Sequence, residues 1–172
     1  KRHIVFLIVG VMAFFVGMIV PHELYKRYSM GLFLVSLALL ILTLTPLGKS
    51  IGGAQRWLDL NFIRFQPVEV VKFSILVVLA NALDRPFKIL NHFVKGVVPL
   101  MGFVLIPLVL LILQPDLGNS ALILLCALLL MFLSPFPMRN LVSMAFLGFV
   151  SLYVVIKIKY LKEKNKFIAK FG

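Results

Sequence analysis

Cysteine and recognisable cofactor motifs are the scarcest features of this sequence. The single cysteine, Cys126, lies inside an apolar run, so it excludes an intrachain disulfide and argues against a thiolate metal site. The three histidines, His3, His22 and His92, lack metal-ligand spacing. A Walker loop, a dinucleotide fingerprint, a Ser-x-x-Lys pair and an H-E-x-x-H motif are all missing. These absences exclude the common nucleotide-binding and zinc-peptidase signatures, and no cofactor is evident.

Charge is scarce as well. Only 14% of the 172 residues are charged, whereas 62% are hydrophobic. A soluble domain carries roughly 45–50% apolar residues, so a soluble fold of this length could not bury the excess. Because the charges cluster between long apolar runs, the composition predicts a chain for which lipid is the main solvent.

Basic residues outnumber acidic ones by 18 to 6, which gives a net charge of +12. In a soluble protein this excess would suggest nucleic acid. Here the cations lie at the ends of apolar runs, at the depth of lipid headgroups, and no basic stretch is interleaved with exposed aromatic residues. The pattern therefore predicts membrane lipid as a partner and no nucleic acid.

Apolar runs predict an all-α, polytopic membrane bundle with about six transmembrane helices. A helix needs about 20 residues to cross the hydrocarbon core, and each run reaches that length with its flanks. An open sheet cannot satisfy its edges in lipid, and the runs lack the alternation of a membrane barrel. The predicted spans are residues 4–20, 30–45, 68–83, 96–113, 117–134 and 141–156.

Two connections are long enough to form structures of their own. Residues 46–67 are predicted to form an outer loop with a short amphipathic or interfacial element at Trp57–Phe65, with Trp57 at headgroup depth. The tail from Lys157 is predicted to leave the membrane on the same side. The charges of the internal loops place Arg27, Arg85 and Arg139 in the cytoplasm.

The start of the third span contains charges that are expensive at bilayer depth. Glu69 and Lys72 are three residues apart, so a helix places them on one face, and Pro67 suits its first turn. The pair could simply fix helix packing, or it could form the wall of a polar cavity. Arg56 and Arg64 lie just upstream, and such a group of cations suits a phosphate or pyrophosphate.

A second candidate is the segment Gln114–Gly118, between two long apolar runs. Pro115 and Gly118 break the helix, and Asp116 can cap the next one, so a capping turn and an active-site role are both open. The residues alone lead to a membrane protein with a cationic pocket near one face, suited to an anionic or phosphorylated lipid.

Three separated motifs carry a family resemblance. The segments Gly53–Leu60 (GAQRWLDL), Arg64–Glu69 (RFQPVE) with Lys72, and Gln114–Gly118 (QPDLG) resemble the SEDS family of bacterial cell-wall proteins, which includes FtsW and RodA. The Leu24–Ser29 segment is slightly more similar to FtsW. Val68 and Asn119 depart from the family pattern, which usually has Ser and Thr at these positions.

The resemblance implies a peptidoglycan glycosyltransferase of the bacterial inner membrane that polymerises glycan strands from lipid II. Family members have about ten spans, of which these residues resemble the second to the seventh, and residues 157–172 resemble the start of the large extracytoplasmic loop. The family's catalytic aspartate would then lie beyond Gly172, so we expect no catalytic residue within the 172 and no activity from them alone. The implied substrate-binding residues are Arg56, Trp57, Arg64, Glu69, Lys72, Gln114 and Asp116.

The resemblance also implies partners and alternatives. A class B penicillin-binding transpeptidase is the expected protein partner, and a divalent metal is possible in the full-length protein. A lipid II flippase would need the same pocket for a lipid pyrophosphate, so that function stays open. A non-catalytic scaffold of the division machinery also stays open, although it would not need a buried charged wall.

Overall fold

The computed structural model describes residues 2–51, 54–59 and 64–171. Its longer helices alternate with short connections, and one small sheet is inserted between the second and third helices. The helices are α1 (Arg2–Ile19), α2 (His22–Thr43), α3 (Pro67–Leu83), α4 (Phe87–Leu90), α5 (Val98–Leu113), α6 (Leu117–Leu133) and α7 (Met138–Phe171). A π-helical turn over Phe93–Val97 leads directly into α5. The strands are β1 (Gly48–Ile51), β2 (Ala54–Asp59) and β3 (Arg64–Phe65).

Helix α3 lies at the centre of the bundle and packs against α2, α5 and α6. Its buried face consists mainly of branched aliphatic residues, which pack against those of the neighbouring helices. Helix α7 packs against α6. The most deeply buried core residues include Leu40, Ile75, Leu79, Leu100, Leu111, Ile123 and Met131.

Small polar side chains join α2 to α3. Ser36 Oγ lies 2.6 Å from Ser74 Oγ, and Asn81 Nδ2 donates to Ser29 Oγ at 2.8 Å. These contacts run in opposite directions along the two helices, so α2 and α3 are antiparallel. The hydroxyls of Ser29, Ser36 and Thr43 recur at the heptad interval that keeps one face of a helix against its neighbour. Small residues of this kind allow helices to approach closely in a membrane.

Within residues 2–51, 54–59 and 64–171, two helical segments are long and apolar enough to cross a membrane, by length and composition: His22–Thr43 and Phe93–Leu113. Three shorter apolar helices cover Gly10–Ile19, Leu117–Leu133 and Met138–Ser151. The outward faces carry exposed apolar side chains, as expected for a surface that lipid covers. Exposed examples on α5 and α6 are Ile106, Val109, Leu113, Leu125, Leu129, Phe132 and Leu133.

The sheet is antiparallel, with strand order β1-β2-β3. Gly48 pairs with Leu58 and Lys49 with Trp57, after which the register shifts so that Ser50 pairs with Gln55. The sheet packs on the ends of α2 and α3 nearest to it. Leu58 is buried there.

Several boundaries differ from the sequence expectations. The connection predicted at Pro21–Ser29 is helical from His22, because Pro21 precedes the helix and Glu23 favours its first turn. Residues 84–95 contain α4 and the start of the π-helical turn. The all-α fold class is confirmed for the bundle, but the 46–67 loop contains strands β1 to β3, which the sequence did not predict. Residues 60–63 of the expected interfacial element lie outside the described residues.

The tail is the largest correction. Helix α7 continues to Phe171, where the sequence predicted a loop from Lys157 onward. The segment contains no proline or glycine, and its lysine, leucine and alanine residues favour a helix. The polar composition that suggested a loop reflects the end of the apolar run and not the end of the helix.

Candidate functional site

A β-bulge positions the first candidate residue, Arg56. Because Trp57 lies opposite Lys49 and Gln55 lies opposite Ser50, Arg56 has no partner residue in β1. Such an extra residue bends the strand and changes the direction of its side chain, and bulges are frequent beside functional sites. Here the bulge brings Arg56 to the turn between α5 and α6.

The guanidinium of Arg56 is fixed on that turn. Its Nη2 donates to the Pro115 carbonyl oxygen at 3.0 Å, and its Nε lies 3.6 Å from Asp116 Oδ2. The Nε is buried and has no hydrogen-bond partner among the described residues, and the side chain is 35% exposed. An arginine held in this way keeps its charge at a fixed place while part of its fork can still bind a ligand.

Asp116 is the counter-ion and also the cap of α6. Its side chain is only 4% exposed and accepts hydrogen bonds from the Asn119 backbone N–H at 3.3 Å and from Asn119 Nδ2 at 2.7 Å. The capping role that the sequence suggested is therefore confirmed. A buried carboxylate needs such partners, because a charge without them is costly to bury. Asn119, where the family pattern usually has Thr, supplies the second donor.

Gln114 ties the same turn to α2. Its side-chain Nε2 donates to the Leu40 carbonyl oxygen at 3.1 Å and to Thr43 Oγ1. The residue is 2% exposed, so this amide is directed into the bundle. The structure thus shows Gln114 positioning the turn, while a contact with substrate stays a prediction.

The expected ion pair forms at the start of α3. Lys72 Nζ lies 2.8 Å from Glu69 Oε1, with side-chain exposures of 23% and 59%. Pro67 occupies the first turn of the helix, as predicted. Solvent or a ligand reaches the carboxylate more easily than the half-buried ammonium.

The remaining two candidates belong to the sheet. Arg64 is exposed in β3, opposite Asp59, and Trp57 is half-buried in β2. The structure brings Arg56, Gln114 and Asp116 to one turn and pairs Glu69 with Lys72. A single cavity shared by Arg64 and that ion pair stays a prediction.

Sequence reasoning missed the partners that hold these residues. Thr43, the Pro115 carbonyl and the Lys49–Asp59 ion pair at 2.5 Å were not foreseen. Thr43 could have been found from its spacing, because it follows Ser29 and Ser36 at intervals of seven residues in a largely apolar helix. Within the described residues, no group of three or more His, Cys, Asp or Glu side chains could hold a metal ion.

The fold and the site define a helical bundle of the membrane type, with a cation fixed over an inter-helix turn by a small sheet. A family model described as a cell cycle protein of the FtsW, RodA and SpoVE type matches residues 1–171. The chain belongs to this FtsW/RodA/SpoVE family.

Curated relatives include proteins named probable peptidoglycan glycosyltransferase FtsW. The one from Escherichia coli O157:H7 is 32% identical over 156 residues, which cover 91% of this chain and 37% of the relative. The one from Coxiella burnetii is 40% identical over 134 residues, which cover 77% of this chain and 36% of the relative. The chain therefore spans little more than a third of the length of these relatives.

Solved structures agree with the fold. A mutant of the rod shape determining protein RodA from Thermus thermophilus is similar with a TM-score of 0.73 and 31% identity, over 86% of this chain and 48% of that one. A structure described as a peptidoglycan synthase complex that coordinates polymerization and crosslinking is similar with a TM-score of 0.74 and 28% identity. That match covers 94% of this chain and 46% of the other.

Proposed function

We propose that the protein to which this chain belongs polymerises the glycan strands of peptidoglycan from lipid II. The relatives named as peptidoglycan glycosyltransferases support this function. The observation that carries it is Arg56, which a β-bulge places on the α5–α6 turn with donors to spare. Such a cation suits a lipid-linked pyrophosphate.

In the proposed reaction, a sugar hydroxyl of one lipid-linked disaccharide attacks the anomeric carbon of another. The new glycosidic bond forms as the bond to undecaprenyl pyrophosphate breaks, and the hydroxyl proton passes to a general base. No residue of this chain is proposed as that base. The role proposed here is to bind the pyrophosphate and stabilise its charge as it leaves, through Arg56 and Lys72, with Arg64 and Trp57 beside them.

Glu69 and Asp116 have a different role in this proposal. Each carboxylate neutralises and positions one cation, so that the site is ordered before the substrate binds. Without such partners, a half-buried lysine or arginine would be costly to maintain at bilayer depth. No step here is assigned to a metal.

The proposed setting is the bacterial inner membrane, crossed six times by this part of the protein. The sheet, Trp57 and Asp116 face the outer side, and the ends that carry Arg27, Arg85 and Arg139 face the cytoplasm. The proposed partner is a class B penicillin-binding transpeptidase, which would crosslink the strands. The similarity to a peptidoglycan synthase complex supports this pairing.

The experiment uses the full-length protein with its transpeptidase partner and purified lipid II. We expect Arg56→Gln and Lys72→Gln each to lower the rate of strand synthesis by about 10- to 100-fold, the usual effect of losing a charged hydrogen bond. Lys88→Gln is the matched control, because it removes an exposed lysine of α4, away from the sheet. It should polymerise at the wild-type rate.

Two outcomes would contradict the proposal. Normal polymerisation by Arg56→Gln would show that the reaction does not need Arg56, the residue on which the proposal rests. Transport of a fluorescent lipid II across vesicles by a preparation that makes no strands would favour the flippase. Binding of lipid II by each variant, together with its unfolding temperature, separates a lost contact from a lost fold.

A further inference from the structure

A second site opens far from the sheet, where α7 begins. A cavity of about 230 Å³ lies between the start of α7 and the segment that leads into α5. Its polar wall is formed by Asn91 from the loop and by Arg139, Asn140 and Ser143 from α7. Its apolar wall includes Met101 and Met144.

Asn140 has an unpaired group at this cavity. The residue is only 8% exposed, and its side-chain Nδ2 is buried without a hydrogen-bond partner among the described residues. Buried polar groups nearly always have partners, so such an exception calls for a ligand or another explanation. Asn140 lines the cavity, and a hydrogen-bond acceptor that reached its amide from there would satisfy it.

The charge of the polar wall selects an anion. Arg139 is exposed and forms no ion pair within the described part of the chain, and the cavity lining contains no carboxylate. The Ser143 hydroxyl already donates to the Arg139 carbonyl at 3.0 Å. The guanidinium and the two asparagine amides are thus the available donors, and a phosphate accepts hydrogen bonds from both types of group.

The apolar wall continues away from the polar one. Met101 and Met144 also line a narrow gap between α5, α6 and α7 that is almost entirely apolar. Methionine side chains adapt to irregular apolar partners. Gly148 allows α7 to approach α6 beside this gap, since an added Cβ would lie 2.8 Å from Leu124. The site therefore joins an anion-binding end to an apolar wall.

We propose that this cleft binds an anionic phospholipid of the surrounding bilayer. The phosphate lies between Arg139 and Asn140, and one acyl chain follows Met101 and Met144 between α5 and α7. The site is separate from the proposed lipid II site at the α5–α6 turn and does not depend on it. A bound lipid would fill the gap between helices and hold the start of α7 against α5.

The test is native mass spectrometry of the delipidated full-length protein with phosphatidylglycerol or phosphatidylcholine of the same acyl chains. We expect the wild type to retain phosphatidylglycerol preferentially, and Arg139→Gln to weaken that preference by about fivefold, the effect of one cation at a lipid surface. Asn140→Leu, which removes the unpaired amide, should weaken phosphatidylglycerol retention as well. Lys88→Gln is the matched control, because it removes an exposed cation of the α4 segment that does not line the cavity, and it should bind as the wild type does.

Three results would overturn the proposal. The first is an unchanged preference in Arg139→Gln, as expected if another segment of the protein fills the cleft. The second is an equal loss in Lys88→Gln, which would indicate general surface attraction. The third is displacement of phosphatidylglycerol by millimolar inorganic phosphate, which would show that the site recognises a free anion and not a lipid. Arg139 is exposed, so its replacement should not prevent folding, and the unfolding temperature in zwitterionic detergent verifies this.

Discussion

The contact between Gln114 and α2 can be tested by replacing Gln114 with leucine. The Leu44 backbone N–H bonds to Ile41 O at 2.9 Å, so the Leu40 carbonyl receives its hydrogen bonds from Thr43 Oγ1 and Gln114 Nε2. Gln114→Leu keeps the side chain large but makes it apolar, and it removes one bond to that carbonyl and one to the hydroxyl. The Leu40 carbonyl keeps the Thr43 donor, so no group is left entirely unpaired.

The magnitude follows from these two bonds. A buried hydrogen bond contributes about 0.5–1.5 kcal/mol net, and in a helical membrane protein about 0.6 on average. Gln114→Leu should therefore lower the free energy of unfolding by about 1–3 kcal/mol. In a Thr43→Val background the same change removes only the bond to Leu40, but it also leaves that carbonyl without either side-chain donor, so the costs of the two changes should not add.

The assay is reversible unfolding of the full-length protein in mixed detergent micelles, for the wild type, the two single variants and the double variant. Gln55→Leu is the control, since Gln55 is an exposed glutamine of the sheet. Additive costs of Gln114→Leu and Thr43→Val, within about 0.3 kcal/mol, would refute the reasoning. Such a result would mean that the two side chains do not interact, and that the turn is positioned by other contacts.

Three further predictions concern other parts of the chain. In the full-length protein, Glu69→Leu combined with Lys72→Leu should fold but polymerise lipid II poorly, and normal synthesis would show that the pair only packs. Arg139→Cys, in a background without other cysteines, should resist an impermeant thiol reagent applied outside intact cells; ready labelling would reverse the proposed orientation. Lys26 Nζ lies 2.5 Å from Asp84 Oδ2, and its hydrogen bond and positive charge hold the pKa of that carboxyl below its ordinary value of 3.8. The stabilisation from this pair should therefore be present above that value and be lost as the pH falls through the lower pKa of the folded state. The unfolding temperature of Asp84→Asn should lack this part of the pH dependence. If it changed between pH 7 and pH 3 as that of the wild type does, the prediction would be contradicted.

The apolar runs predicted most helices because their ends carry local signals. Pro67 and Asp116 mark helix starts that depend only on neighbouring residues, and the structure places both as expected. The end of α7 was missed because hydropathy measures burial in lipid, whereas a helix can continue into water when its residues favour it. The tail after Lys157 has that composition.

The partners of Arg56 could not be predicted from local patterns. Arg56 and the Pro115 carbonyl are 59 positions apart, and their contact depends on a bulge that no single-strand signal reveals. The serine contacts between α2 and α3 were easier to predict from the sequence. Ser29, Ser36 and Thr43 share a heptad interval, and Ser74 and Asn81 repeat it on α3, so a comparison of the two spacings would have suggested the antiparallel register.

That register also explains why a third helix completes the contact at the sheet end. Asn81 meets Ser29 and Ser74 meets Ser36, so one further heptad step brings Thr43 opposite Pro67. Proline offers neither a side-chain donor nor a backbone N–H, so α3 cannot supply a partner there. Gln114, at the end of α5, supplies it instead. The Pro115 carbonyl beside it accepts from Arg56, so the contact of Gln114 with α2 also fixes the turn on which the cation of the proposed site rests.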